Sequence, residues 1–368
     1  MASDREANGS SFGSVKPIKL LLVSPCQGAY GGIEAFVLAV AAAVRKEPDF
    51  EVRVCFKKTK HFARQPSLKT MLQNEPGVEF CERADRDLAR AIRWADVVHL
   101  QNASPDVVAL AKLFRKRLVL TIHNYMSREL NAHRLLWRLS AKFADARWYN
   151  SQFVWDTWEG DATRPGSRKV ATTSKLPDGW TPLEERAGFA FIGRWIANKG
   201  IDTLLDAYAQ ADLDREKWPL VLMGDGPLRS LIEYAIQRRG VTGIRVLGFV
   251  DEATKAQQMK KVRWVVVPPN TREDFGLTAI EARHLGVPCI ITRDGGLPEA
   301  GGLQALICEP GDVAGLAKLL EQAAGMSEAE YAERAQRTRE ELACELEPME
   351  FYARAYRRIL QGEPVEGI

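Results

Sequence analysis

Short apolar runs alternate with longer amphipathic stretches along almost the whole chain, the pattern of βα units stacked into parallel sheets. IKLLLVS (residues 18–24) opens a first series, continued by EVRVCF, ADVVHL, RLVLTI and ARWYNS. GFAFIGR (residues 188–194) opens a second, continued by PLVLMG, IRVLGF, WVVVPP, VPCIIT and QALICE. Between them lies PDGWTPLEERAG, residues 177–188, rich in Pro, Gly and charge and the best candidate for a linker. The expectation is an α/β protein of two Rossmann-like, doubly wound domains facing a central cleft. A polar, Gly/Ser-rich stretch at 1–16 reads as a disordered tail, 17–180 as the first domain and 181–347 as the second. After Glu309 the pattern is almost wholly helical, and 348–368 reads as a closing helix. Sheets of this kind bind ligands beyond the carboxyl ends of their strands.

Composition narrows the function classes. With 368 residues the chain has room for about two domains, each with its own core. A mean hydropathy of -0.23 and 46% hydrophobic residues are ordinary for a water-soluble protein. The longest uncharged apolar run, residues 35–44, is far short of the ~20 residues that span a bilayer. A net charge of +3 argues against a dedicated nucleic-acid binder. The six cysteines form no CxxC pair or repeated spacing, so neither a zinc site nor a disulfide framework is indicated.

The densest chemistry lies in PPNTREDFGLTAIEARHLGVPCIITRDGGLPEAGG, residues 268–302. A loop carries Glu273, Gly276 opens a helix, and Glu281 follows inside it. Both carboxylates can face one ligand at the helix start, where the amides of Leu277 and Thr278 and the helix dipole favour an anion. Carboxylates beside an anion site suit a ligand with both hydroxyls and phosphates. In isolation such acids are ordinary first-turn residues. In the first half, Gly31 and Gly32 follow the opening strand and leave room for a phosphate or sugar to approach the backbone. Glu34 reads equally as a first-turn helix acid.

These motifs resemble the retaining nucleotide-sugar glycosyltransferases of the GT-B fold, specifically glycosyltransferase family 4. The likeness is strongest over residues 188–323, where FIGRWIANKGIDTLLDAY, LVLMGDGPLRSLIE, VLGFV and the two-glutamate segment with its GGLPE loop stand in order. In the first half GGIEAF is similar, TIHN and YNSQFV more weakly. The resemblance implies that Arg194 and Lys199 neutralise the donor diphosphate, that Glu281 hydrogen-bonds the donor ribose and that Glu273 contacts sugar hydroxyls. It further implies that His123 touches the donor sugar, and that Gly224 with Phe249 and Val250 flanks the nucleobase. The closing helix crosses back onto the first domain in this fold. His284 stands where a small residue is usual, either reshaping the pocket or facing solvent. His61, His99 and His133 receive no role. No DxD-type metal motif stands where a metal-dependent transferase would need one, so neither a metal nor a cofactor is expected, and the nucleoside-diphosphate sugar is the substrate.

Charge is divided unevenly. Residues 1–180 hold 28 Lys and Arg against 19 Asp and Glu, while residues 181–368 hold 23 against 29. In the basic half, SRELNAHRLLWRLSAKFADARW sets Leu135, Leu136, Leu139 and Phe143 at helical spacing among Arg134, Arg138 and Lys142. Such a helix either packs on its own sheet or lies against an anionic membrane or acidic acceptor.

The sequence therefore points to a metal-independent, retaining transfer of sugar from a nucleotide donor to a carbohydrate, lipid-linked or small-molecule hydroxyl. It also points to a cytoplasmic protein, with peripheral contact at the inner membrane face left open. A sugar-nucleotide epimerase and a non-catalytic sugar-nucleotide-binding protein are the alternatives.

Overall fold

A computed structural model describes residues 16–60, 62–72, 75–82, 85–127, 132–160, 164–171, 173, 176–177, 179 and 181–365. Most of the expected tail and His61 lie outside them.

Among the described residues the first sheet holds seven strands: β1 (Ile18–Cys26), β2 (Phe50–Lys58), β3 (Val78–Cys81), β4 (Val97–Gln101), β5 (Arg117–Ile122), β6 (Ala146–Tyr149) and β7 (Ser167–Lys169). They pair in parallel in the order β3-β2-β1-β4-β5-β6-β7. Side chains of β1 alternate between the sheet's two faces. Leu20 and Leu22 join the core under helices Gly32–Val44 and Glu350–Gln361, while Leu21 and Val23 join the one under Arg86–Trp94 and Pro105–Leu113. A strand covered on both sides must be apolar throughout, which is why IKLLLV reads as a continuous run.

The second sheet comprises β8 (Phe189–Ile192), β9 (Leu220–Met223), β10 (Ile244–Gly248), β11 (Trp264–Val267), β12 (Cys289–Thr292) and β13 (Leu306–Cys308), parallel in the order β10-β9-β8-β11-β12-β13. Each sheet reverses its winding direction once, between β1 and β4 and between β8 and β11. Loops leaving adjacent strands at such a reversal diverge and open a crevice. The glycines after β1, the cations after β8 and the glutamates after β11 all leave the sheets there. Strands β3 and β7 are absent from the sequence reading. Both are short edge strands, and β7 is the polar tripeptide SRK, as suits an edge that must not recruit another strand.

The closing helix Glu350–Gln361 belongs to the first sheet's core. Phe351, Tyr352 and Tyr356 surround Trp148 with ring centroids 5.4, 5.7 and 6.0 Å away. His99, in the centre of β4, lies 2.7 Å from Tyr356 Oη through Nδ1 and 2.7 Å from Thr121 Oγ1 through Nε2. Burial lowers the pKa of His99 to about 3, so this imidazole is neutral and structural. Arg357 closes the contact from outside, bonding Asp49 and Glu47 at 2.6 Å each.

Helix Ala132–Lys142 sits the opposite way from an ordinary sheet-packed helix. Ser140 and Ala141 are its buried residues, and the leucines face outward.

Replacing Tyr356 by Phe leaves His99 Nδ1 without its partner in a dry core. The expected loss is ~1–3 kcal/mol in urea unfolding of the full chain; an unchanged midpoint would show that this bond contributes nothing.

Candidate active site

The loop after β1 turns at Gly31, whose amide donates to Glu34 Oε2 at 3.1 Å. Glu34 is buried, which raises its pKa; the Gly31 amide and the positive charge of Arg194 pull the other way. That Coulombic influence connects a residue of the first domain with one of the second. Gly32 makes the approach closer still: a Cβ there would stand 3.3 Å from Leu277 Cδ2. The glycine turn of one sheet thus faces the helix start of the other.

Across the cleft, Gly276 begins helix Leu277–His284 at φ 109, a conformation reserved for glycine, and a Cβ at this position would lie 2.5 Å from Leu297. Ala279 donates to the Gly276 carbonyl at 2.9 Å, so the amides of Leu277 and Thr278 precede the helical ladder. The Thr278 hydroxyl reaches the Ile192 carbonyl at 3.4 Å, holding this helix start over the end of β8. From that strand end come exposed Arg194 and the turn Ala197–Lys199.

Each of the two expected glutamates has a lysine. Lys199 Nζ lies 2.5 Å from Glu273 Oε2, and Lys255 Nζ lies 2.9 Å from Glu281 Oε2 and 2.7 Å from Glu252. Glu281 is buried, and burial works against the charge on Lys255, yet the two carboxylates outweigh it and raise the lysine's pKa. Lys199 and Glu273, expected on different parts of a donor, are therefore joined directly. Lys255 escaped the sequence reading, because nothing in DEATKAQQ marks one lysine as the partner of an acid 26 positions away.

Asp274 was also missed. Its Oδ1 accepts the Tyr125 amide at 2.8 Å and its carbonyl accepts the Ser151 hydroxyl at 2.9 Å, both from the first domain. Burial pushes its carboxyl up to about 6. Glu273 and Asp294 add to the rise, against the Tyr125 amide and Lys199. Asp294, from the loop before GGLPE, accepts the Glu273 amide at 2.6 Å, and the Gly296 amide donates to the Glu273 carbonyl at 2.9 Å. That loop consequently fixes the glutamate's backbone.

The remaining expected residues are spread around this centre. His123 follows β5 with Nε2 2.8 Å from Gln101 Oε1 and its ring edge-on to Phe36 at 5.3 Å. Burial lowers its pKa to about 3, so at neutral pH it offers hydrogen bonds and no charge. The Gly224 amide bonds the Gly248 carbonyl at 2.7 Å, joining the GDGP turn to VLGFV. The Trp195 amide bonds the Asp225 carbonyl at 2.9 Å, tying that turn to the Arg194 loop. Phe249 is exposed and Val250 half-buried beside it. His284 lies at the far end of its helix, roughly 10 Å along the axis from Leu277.

Two family descriptions match this chain: Glycosyltransferase Family 4 over residues 30–163 and Glycosyl transferases group 1 over residues 175–341. Together the two matches cover most of the chain, which belongs to these glycosyltransferase families. An uncharacterized glycosyltransferase of Methanocaldococcus jannaschii is 34% identical over 121 residues, which is 32% of this chain and 33% of that protein. The Escherichia coli O-antigen chain mannosyltransferase C is 25% identical over 181 residues, 48% of this chain and 47% of the relative. The chain thus spans less than half the length of either relative. Among solved structures, Anabaena HepE in complex with UDP and glucose matches with a TM-score of 0.73 at 17% identity, over 94% of this chain and 99% of that one.

Two outcomes test these contacts. Lys255→Met strands the buried Glu281 charge and is expected to cost stability toward the lower end of ~3–5 kcal/mol, with Glu281→Gln in the same chain restoring most of it. A double-mutant cycle of unfolding midpoints reads the coupling. For Asp274 the folded pKa lies above the unfolded value, so its contribution favours the fold at low pH and is lost as pH rises from about 4 through about 6. Asp274→Asn keeps the acceptor and is expected to remove that slope from the pH profile of Tm; identical slopes would refute the assignment.

Proposed function

We propose that this glycosyltransferase moves a sugar from a nucleoside-diphosphate sugar to an acceptor hydroxyl with retention of anomeric configuration and without a metal. The observation that carries the reading is the convergence at one cleft of the Gly31–Gly32 turn with the helix start at Gly276, Leu277 and Thr278. The flanking cations Arg194 and Lys199 support it.

In this reading the diphosphate lies at the amides of Leu277 and Thr278, between Arg194 and Lys199. The bond from the sugar's anomeric carbon to the β-phosphate oxygen breaks, and the acceptor oxygen bonds that carbon from the same face. The acceptor proton passes to the departing phosphate oxygen. Negative charge grows on the diphosphate as the bond lengthens, so fixed cations and amides stabilise the transition state more than the ground state. To reach the diphosphate, Lys199 exchanges its Glu273 partner for phosphate oxygens, and that releases the Glu273 carboxylate toward sugar hydroxyls. Glu281, paired with Lys255, accepts from the ribose diol. Neutral His123 hydrogen-bonds the sugar. Gly224, Phe249 and Val250 border the base. The acceptor, a glycan, a lipid-linked sugar or a small molecule, meets the donor from the first domain's side, and closure of the two domains excludes water.

Because a structural neighbour holds UDP and glucose, uridine donors come first in a thermal-shift screen of nucleoside diphosphates and their sugars. A ligand at 100 times its Kd is expected to stabilise by about 2.7 kcal/mol. Arg194→Ala and Lys199→Ala are each expected to lower kcat by ~100–1,000-fold with little change in Tm. Full turnover by both variants, or conversion of the donor sugar with no acceptor present, would overturn the proposal, the latter in favour of epimerisation.

A further inference from the structure

Helix Ala132–Lys142 is amphipathic with its apolar side turned to solvent. At about 100° per residue, Leu135, Leu139, Phe143 and Leu136 fall within one arc of roughly 100°. Phe143 continues the helical turn through its amide bond to Leu139, 3.2 Å. Ser140 and Ala141 mark the opposite, sheet-facing side. Leu135 is 62% exposed and Phe143 55%, with Leu136 and Leu139 also exposed. Arg138 and Lys142 border the arc on one flank, both exposed, with Arg134 beyond them.

The next helix, Pro105–Leu113, packs alongside and extends the surface. Its last residue, Leu113, is 72% exposed, and Arg115 and Lys116 follow. Lys112 pairs at 2.8 Å with Asp145, just beyond Phe143, which brings the ends of the two helices to one edge of the domain.

We infer that this surface docks on an anionic phospholipid bilayer. A helix lying in a membrane interface needs an apolar arc for the acyl boundary and cations beside it for lipid phosphates. This helix presents both on its outward side. The first half of the chain carries an excess of cations, 28 against 19 acids, which favours a negatively charged partner. A second copy is a poorer occupant, because a two-fold interface over this arc would bring a second basic flank with its own Arg138 and Lys142 into the same seam, where like charges repel. The helix leaves the carboxyl end of β5, where the cleft lies, and runs down the domain to the amino end of β6, so a bilayer on it would lie along the side of the first domain.

Co-sedimentation of the full chain with vesicles tests the docking without reference to turnover, so it fails or succeeds independently of the transfer proposal. Vesicles containing about one third phosphatidylglycerol in phosphatidylcholine are expected to pellet the protein at low salt. Pure phosphatidylcholine should not, and 1 M NaCl should weaken binding. A Leu135→Ser, Leu139→Ser, Phe143→Ser variant removes exposed apolar groups, so its Tm should hold while vesicle affinity falls about tenfold or more. Arg138→Glu with Lys142→Glu should lower it as well. Absence of binding to anionic vesicles at low salt, or equal binding by the triple-serine variant, would overturn the inference. So would a dimer in sedimentation equilibrium that the triple-serine change disperses, because the surface would then belong to a second copy.

Discussion

One aspartate sets how the two sheets face each other. Asp274 takes the Tyr125 amide on its carboxylate and the Ser151 hydroxyl on its carbonyl, and Arg272 beside it places its guanidinium 4.8 Å from the Tyr125 ring centre. The GGLPE loop adds Glu299, which accepts the Gln152 amide at 2.7 Å and pairs with Lys169 at 2.9 Å. These contacts come from the same two loops that hold Glu273. Domain separation and the position of that carboxylate are therefore a single mechanical variable. Any shift that pulls Tyr125 from Asp274 also strains the neighbouring Glu273 backbone, clamped by Asp294 and Gly296.

Within this frame the charges of the second domain are arranged before any chemistry occurs. A buried carboxylate such as Glu281 is costly unless a cation stands against it, and Lys255 supplies one. Lys199 and Glu273 are paired likewise at a more open position. Pairs of opposite sign hold long, flexible side chains in place.

The strand series, the paired domains and the returning helix were legible because they rest on patterns that repeat: apolar runs at βα spacing, and glycines and acids at strand ends. The edge strands β3 and β7 were not, since an edge needs few apolar residues. Lys255 and Asp274 were invisible for a different reason. Each acts through one long-range contact, with Glu281 or with Tyr125, and a contact between distant segments leaves no local period. Helix Ala132–Lys142 shows the limit of periodicity itself. The spacing of Leu135, Leu139 and Phe143 reveals an arc, but which way that arc points depends on Ser140 and Ala141 fitting the sheet. His123 was singled out by its place after β5, whereas its neutrality follows from burial against Phe36 and Gln101.

The return of the chain to its first core has a mechanical corollary. Val170 belongs to the first core and Ala171 packs on the second; Leu346 packs on the second and Met349 on the first. The polypeptide thus passes between the domains twice, and Arg168 joins Glu347 where the passages meet. One covalent tether would leave a domain free to swivel. Two, joined by an ion pair, favour bending about the line through both over twisting.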